Sequence, residues 1–368
     1  MRFPRRVLPQ GFHNPTILLT SLFATIGGAL ADLAGLPLGW LLGSLLVSAA
    51  AALTGWRPLG HPVQLWPGLR AWFIPVIGVA IGASFTPQIL QQASAWWPSL
   101  LALCVFIPLV HALCFWLTMR DGRVDRVTAF FGTVPGGLIE SVELGAERGA
   151  DIAMLTMLQF LRLILVIVCV PLAFTLLTGH AVGSASGAVM GGAEAHEWGQ
   201  LLILAAAGVA GVLVGAKLHF PAAIMTGPIL ASGLLHLLGL VEGAPPAWLI
   251  AVTQIVVGTS LGVRFAGLQR HHMLAALKLS VVNTGLALLL ALVMAAALTT
   301  VQQQSAQAVF LAFAPGGIAE MSLIALSLDI GVVFVTAHHV LRIVLSIAFA
   351  RALSGRVLDG TRPKSGQG

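Results

Sequence analysis

The sequence predicts an all-α polytopic membrane protein built from two inverted repeats, each with about five transmembrane helices and one Pro-Gly-Gly re-entrant or broken helix. Of its 368 residues, 58% are hydrophobic and only 9% are charged, and the mean hydropathy is +0.95. Several apolar runs approach the ~20 residues that cross a hydrocarbon layer of ~30 Å. The runs are continuous rather than alternating at every second residue, which is typical of helices and excludes a transmembrane barrel.

A short motif that occurs twice predicts the repeat. Residues 131–143 read FGTVPGGLIESVE, and residues 311–323 read LAFAPGGIAEMSL. The Pro, Gly and Glu residues of the two copies are 180 residues apart, and so are the glycines of IGVAIGASF (77–85) and VGTSLGVRF (257–265). A fixed offset across separate segments indicates an internal duplication.

Each half contains a matching series of apolar runs. In the first half the predicted helical segments are 16–34, 37–54, 71–85, 97–118, the motif segment 128–147, and 152–178. In the second half they are 199–216, 221–240, 247–264, 274–298, the motif segment 303–327, and 331–352. The stretch between them is rich in small and polar residues, as linkers are. The predicted division is an N-terminal membrane repeat (1–180), a linker (181–198), a C-terminal inverted membrane repeat (199–355) and a cytoplasmic tail (356–368).

The distribution of basic residues predicts the orientation of the repeats. If each motif segment crossed the membrane, Arg148, Lys217 and Arg264 would lie outside, against the positive-inside bias. If each segment dips in and returns, the second half is inverted, and 17 of the 19 basic residues lie on the cytoplasmic side. The other two are Arg162 and Arg342, inside apolar runs. We therefore predict a multi-pass protein of the bacterial inner membrane with both termini in the cytoplasm, and its first residues are a cytoplasmic lead rather than a removed signal.

The Pro-Gly-Gly motifs are the predicted binding site. A glycine pair after a helix break exposes backbone amides at a new helix start, which favours an anion. The predicted amide donors are Gly136, Gly137, Gly316 and Gly317. One isolated motif is more typical of a simple helix kink, but two copies at matched positions favour a site.

Polar residues in matched positions complete the prediction. Arg162 and Arg342 lie about 16 Å deep in a ~30 Å hydrocarbon core. Each must contact an anionic substrate, a glutamate or a backbone carbonyl. Gln159 and His339 stand three residues before them and are predicted to line the site.

The matched carboxylates have two interpretations. Glu140 and Glu320 are in the first turn after each break, where they either cap the helix or couple transport to H+ or Na+. Asp151 and Asp329 are predicted N-caps of the following helices.

The remaining polar residues predict neither a metal nor another cofactor. His338-His339 and His271-His272 lack a carboxylate or cysteine at metal-ligand spacing. The three cysteines, Cys104, Cys114 and Cys169, have no CxxC spacing and are predicted to be buried structural thiols. The surplus of basic residues reflects cytoplasmic loops, so no direct nucleic-acid partner is predicted.

The twin PGG-x-x-E segments, each followed by an Asp and a buried Arg, resemble the AbrB family of bacterial inner-membrane proteins, also catalogued as ammonia monooxygenases. That resemblance implies a regulator of gene expression or a monooxygenase. Five spans plus a Gly-Gly re-entrant loop, twice and inverted, are similar to secondary transporters for citrate and glutamate.

The function hypothesis is a secondary transporter of a small organic anion, working by alternating access between the halves and coupled to H+ or Na+. The alternative is a membrane protein that senses a ligand and regulates gene expression indirectly, and the chain is not predicted to be an enzyme. The lipid bilayer is the expected environment, and homo-oligomerisation is left open.

Overall fold

The computed structural model describes residues 12–179, 182, 198–266, 270–301 and 303–358, with no side chain described for 270–272. Within these ranges there is no β-strand, and the all-α prediction is confirmed. The helices are α1 (Asn14–Leu33), α2 (Gly39–Thr54), α3 (Leu69–Gly82), α4 (Pro87–Ala93), α5 (Trp97–Asp121), α6 (Arg126–Gly132), α7 (Leu138–Glu147), α8 (Ile152–Thr178), α9 (Trp198–Lys217), α10 (Ala223–Leu237), α11 (Ala247–Gly262), α12 (Arg270–Leu298), α13 (Ala306–Phe313), α14 (Ile318–Ser327) and α15 (Val332–Leu358). Most of the predicted linker and the end of the predicted tail lie outside the described residues.

The described helices fit a polytopic membrane protein. By length and composition, seven helical segments can cross a membrane: those beginning at Asn14, Pro87, Ile152, Trp198, Ala247, Met273 and Val332. Three others that the sequence predicts as spans are shorter, since α2 has 16 residues, α3 has 14 and α10 has 15. Five spans in each half therefore remain a prediction.

Six helices form one body, which we call the scaffold: α1, α2 and α3 from the first half and α9, α10 and α11 from the second. Within each half α1 packs on α2 and α9 packs on α10. Between the halves α2 packs on α11 and α3 packs on α10. The glycines shared by the two halves make these contacts, because a side chain at Gly78 would come within 2.9 Å of the Met225 carbonyl and one at Gly262 within 2.7 Å of the Leu45 carbonyl.

The contacts also give helix directions. Along α3, Gly78 meets Met225 and Gly82 meets Gly233, so α3 and α10 run in the same direction. Along α11 the glycines meet α2 in the same ascending order. The end of α3 and the segment before α11 line one cavity, at Ala83 and Ala244, so these two equivalent helices run in opposite directions. Opposite directions of equivalent helices favour the inverted arrangement.

A second body, which we call the core, contains the long helices α5, α8, α12 and α15 and the short helices α6, α7, α13 and α14. Here α8 contacts α6, α7 and α12, while α15 contacts α5, α13 and α14. The main contact between core and scaffold joins α14 to α3. Each body therefore contains helices from both halves of the sequence.

The molecule has two chemically different faces. Lys278 and Arg123 both pair with Asp121, which brings the end of α5 to the start of α12. The described basic residues apart from the two intramembrane arginines all lie at helix ends or loops on this side, which we call the basic face: Arg57, Arg70, Arg120, Arg123, Arg126, Arg148, Lys217, Arg264, Lys278, Arg351 and Arg356. Opposite to it, the end of α3 and the start of α15 surround a cavity of about 320 Å³.

Candidate functional site

The two motif segments form helical hairpins that open on opposite faces. We call residues 126–147 the first hairpin and residues 306–327 the second hairpin. The Asp151 amide donates to Thr128 Oγ1 at 2.7 Å, so the first hairpin returns to the basic face where α8 begins. Gly331, at the start of α15, lies beside Gln304 and Ala308, so the second hairpin returns to the opposite face.

Caps fix where these helices begin. Asp151 Oδ1 accepts hydrogen bonds from the amides of Ala153 and Met154 at 3.0 and 3.1 Å, as predicted for an N-cap. The same prediction for Asp329 is wrong. Asp329 has φ 53° and lies three residues before α15 begins, because the residue equivalent to Asp151 is Gly331. The exposed Asp329 instead lines the cavity on the opposite face.

Each intramembrane arginine donates hydrogen bonds to the backbone of the hairpin in its own half of the sequence. Arg162 Nη1 donates to the Val134 carbonyl, while Arg342 Nη1 and Nη2 donate to the carbonyls of Ala314 and Gly316. These carbonyls follow the last turns of α6 and α13, where a helix leaves carbonyls without intrahelical partners and carries partial negative charge. Of the three partners that the sequence allowed, the described contacts therefore favour the backbone carbonyl.

Gln159 and His339 form hydrogen bonds with backbone carbonyls at the ends of the same two helices, α6 and α13. Gln159 Nε2 donates to the Phe131 carbonyl at 2.7 Å and to the Val134 carbonyl at 3.2 Å. His339 Nε2 lies 2.9 Å from the Leu311 carbonyl, which requires its proton on that nitrogen. Both side chains are fully buried, and neither lines the small cavity between the tips of the two hairpins. The two equivalent residues hold the hairpins in place.

A small cavity lies between the hairpin tips. Pro135 and Pro315 both line it, so the two Pro-Gly-Gly breaks meet inside the molecule. Its polar lining is Thr133, Arg162, Ser280 and Asn283. Its volume is about 20 Å³, which holds about one water molecule.

The glycine pairs lie at the edges of this region, and each tip contacts the long helix of the other half. A side chain at Gly136 would come within 3.0 Å of the Ser346 hydroxyl on α15. One at Gly317 would come within 3.5 Å of Leu163 on α8 and would overlap the Glu320 carboxylate. Gly137 has φ 68°, in the left-handed region. Gly316 is enclosed by the Met321 side chain.

The two motif glutamates differ in burial and in partners. Glu320 is 1% exposed, and its Oε1 lies 3.8 Å from Arg70 Nη2 on α3. Glu140 is only partly buried. Both stand at the third position of the helix after the break, with a carboxylate oxygen beside the glycine that begins the turn.

Four polar site residues were not singled out from the sequence: Thr133, which lies inside the motif segment, and Ser280, Asn283 and Arg70. Asn283 and Ser280 line the cavity from α12, and a polar pair inside the apolar run 274–298 was the available signal. Arg70 carried no such signal, because it belongs to a loop-flanking basic pair that is typical of a cytoplasmic surface.

Other polar residues have structural partners. The His338 ring bonds the Phe334 carbonyl and the Ser99 hydroxyl, each at 2.8 Å. Over the described ranges no three or more His, Cys, Asp and Glu side chains are grouped closely enough to hold a metal. The side chains of His271 and His272 lie outside the described part of the chain.

Comparison with known proteins gives consistent matches along most of the chain. A family model described as "Transition state regulatory protein AbrB" matches residues 57–357. The chain is 30% identical over 348 residues to "Uncharacterized protein YhjN" of Bacillus subtilis (strain 168), covering 88% of each. It is 26% identical over 332 residues to "Putative regulator AbrB" of Escherichia coli (strain K12), covering 89% of this chain and 92% of the relative. The chain therefore belongs to the AbrB family.

Proposed function

We propose that this protein is a secondary transporter of a small organic anion, working by alternating access and coupled to H+ or Na+. The observation that carries the proposal is the pair of hairpins that open on opposite faces and meet at one buried cavity. Non-helical backbone at membrane depth is tolerated only where protein buries it or where it lines a water-filled cavity. Discontinuous helices of this kind, in matched halves, are typical of transporter substrate sites.

The contacts favour a motion between scaffold and core over a motion between the halves of the sequence. The halves of the sequence interlock through α2 with α11 and α3 with α10. A motion between halves would have to break both of these close contacts. Between scaffold and core the closest backbone approach joins α3 to α14, and further contact is made by apolar side chains of one shared hydrophobic cluster. A displacement of the core along the scaffold would therefore expose the cavity to each face in turn at lower cost.

The central cavity has the chemistry to receive an anion. Arg162 supplies positive charge, and Thr133, Ser280 and Asn283 supply polar groups. At about 20 Å³ the cavity is far below the roughly 300 Å³ of a typical ligand pocket. The conformation described is therefore closed, and a substrate enters only when the hairpin tips separate.

The basic face is assigned to the cytoplasm of a bacterial cell. Basic residues accumulate on the cytoplasmic side of inner-membrane proteins, and no basic residue of the described ranges lies on the opposite face. The described chain begins at α1 and ends at α15 on the basic face. This assignment places both termini inside the cell.

The topology is tested by labelling single cysteines with a membrane-impermeant maleimide in a background without Cys104, Cys114 and Cys169. Exposed positions at the two ends of each hairpin are chosen for the probes. For the first hairpin they are Arg123→Cys and Glu147→Cys, and for the second they are Ser305→Cys and Asp329→Cys. We expect the first pair to label only from the cytoplasm and the second pair only from outside. Labelling of the two ends of one hairpin from different sides would exclude re-entrant hairpins.

Transport itself is tested by uptake of radiolabelled di- and tricarboxylates into proteoliposomes of the purified protein, with an imposed Na+ or proton gradient. Arg162→Gln is expected to abolish uptake while the protein remains folded, and Arg57→Gln, an exposed arginine of the basic face away from the cavity, serves as the control. Full uptake by Arg162→Gln contradicts the assignment of the site.

Indirect regulation of gene expression is the second candidate, and it is favoured by the name of the Escherichia coli relative, "Putative regulator AbrB". A sensor would bind a ligand in the same cavity without moving it. Ligand-dependent thermal stabilisation without accumulation in proteoliposomes would support that function.

A further inference from the structure

Glu320 is a buried carboxylate whose two oxygens have different surroundings. It is 1% exposed, and one oxygen lies against Gly317 at the start of α14. The other oxygen has no hydrogen bond among the described residues and lies 3.8 Å from Arg70 Nη2. That distance is well beyond the roughly 2.7–2.9 Å of a strong charge-assisted hydrogen bond. The carboxylate is held by proximity to a cation rather than by a tight bidentate contact.

This pair crosses the boundary between the two bodies. Arg70 belongs to the scaffold, at the start of α3, whereas Glu320 belongs to the core. The residue 180 positions after Arg70 is the buried Ile250, so the matched position offers Glu140 of the first hairpin no cation. A displacement of the core would separate Glu320 from its counter-charge.

Among the described residues, Arg70 is the one cation that lies within ion-pair distance of Glu320. On α15, Arg342 is bound to the carbonyls of Ala314 and Gly316. Nothing on α13 is titratable. The charged or titratable groups on the elements around the pair are Arg70 on α3, His338, His339, Arg342, Arg351 and Arg356 on α15, Arg162 and Cys169 on α8, and Arg264 after α11, which interacts electrostatically with Arg70.

A buried carboxylate that loses its partner must find another cation, because an unpaired charge in a low-dielectric interior is very costly. We propose that Arg70 is a tethered counter-cation that competes with a monovalent cation, H+ or Na+, for Glu320. When core and scaffold are in contact, Arg70 neutralises Glu320. When they separate, Glu320 binds the free cation. The exchange of Arg70 for the monovalent cation couples ion binding to the displacement of the core along the scaffold.

This inference rests on the proposed function, but its test needs no substrate. The melting temperature of the purified full-length protein is measured in Na+ and in matched K+, between about pH 5.5 and about pH 8. In wild type, Arg70 occupies the site and the melting temperature should not distinguish Na+ from K+. In Arg70→Gln the site is vacant for a cation, and a bound cation stabilises the folded state.

Two results for Arg70→Gln support the proposal and identify the cation. If the cation is Na+, replacing K+ by Na+ raises the melting temperature by about 5 °C. If it is H+, lowering the pH raises the melting temperature by a similar amount, because deprotonation leaves an unpaired buried carboxylate. In both cases the response disappears in Arg70→Gln with Glu320→Gln, and it persists in Arg70→Gln with Glu140→Gln, the matched control.

The charge-retaining variant Arg70→Lys should behave as wild type. If Arg70→Gln does not fold, Arg70→His is purified at acidic pH, where the imidazole is charged. The cation response should then appear only at alkaline pH, where the imidazole is neutral.

The proposal is overturned if these variants respond no more than wild type, or if removal of Glu320 leaves the response unchanged. A protein that shows the response but accumulates no anion would keep the cation site and lose the transport function.

Discussion

The first and second hairpins share an arginine anchor, yet they differ in how completely the rest of the molecule encloses them. In α14 every residue from Ile318 to Leu326 is buried. In α7 only Ser141 and Gly145 are buried, and Ile139 is 65% exposed. The second hairpin packs on the scaffold through α3 and carries the paired Glu320, whereas among the described residues the first hairpin packs mainly on α5, α8 and α15.

The two halves of the sequence therefore share the hydrogen bonds that hold the hairpin tips, but they differ in what packs around each hairpin. Equivalent arginines bond equivalent carbonyls, Val134 and Ala314, which are 180 residues apart. The burial of α14 and the exposure of α7 therefore reflect different packing of two hairpins that share one sequence motif.

The largest difference should appear when the anchors are removed. Arg342 is 3% exposed and is the donor to two carbonyls, so Arg342→Gln should lower the free energy of unfolding by about 3 kcal/mol. Arg162→Gln should cost only about 1 kcal/mol, because Gln159 still donates to Val134. Denaturation of the two purified variants in detergent measures both values. Equal losses would mean that the anchors are energetically equivalent after all.

Alanine substitutions at the glycines beside the two glutamates, Gly137 and Gly317, should both lower the free energy of unfolding, but for different physical reasons. Gly137→Ala should cost about 2 kcal/mol, because an alanine at φ 68° is strained and its methyl group would lie 2.8 Å from Ile347. Gly317 has φ −81°, which any residue adopts, so Gly317→Ala should act by displacing the Glu320 carboxylate.

A double-mutant cycle separates the two causes. The cost of Gly317→Ala should fall by about 1 kcal/mol in a Glu320→Ala background. The cost of Gly137→Ala should be unchanged in a Glu140→Ala background. Additive effects at Gly317 would show that its contact with Glu320 has no energetic weight.

Much of the fold could be predicted, because hydrophobic runs and helix breaks are local signals. The run 152–178 became α8 with the same bounds, and both motif segments split at their prolines. The site was less predictable. Depth in an apolar helix showed that Arg342 needs a partner, but the choice of a backbone carbonyl depends on tertiary packing. Arg70 was missed because its contact with Glu320 joins residues 250 positions apart in sequence.

Substitutions just before the two long helices α8 and α15 should give a smaller difference in stability. Asp151→Ala removes the side chain that bonds the Ala153 and Met154 amides and should cost about 1 kcal/mol. Asp329→Gly should stabilise the protein by about 0.5 kcal/mol, because glycine adopts a positive φ without strain. Thermal denaturation in one detergent compares them directly. A loss of stability in Asp329→Gly would show that its carboxylate has a role at the opposite face.

The smallest effect is expected where the two halves use different residues for the same bond. His339 reaches the Leu311 carbonyl with one nitrogen, and Gln159 reaches the equivalent Phe131 carbonyl with its amide. His339→Gln should therefore cost only about 0.5 kcal/mol, since the amide of glutamine can donate the same hydrogen bond. His339→Leu, which leaves that buried carbonyl without a donor, should cost about 2 kcal/mol. If His339→Gln were as costly as His339→Leu, the imidazole ring itself would be required, and the second hairpin would depend on a group that the first one lacks.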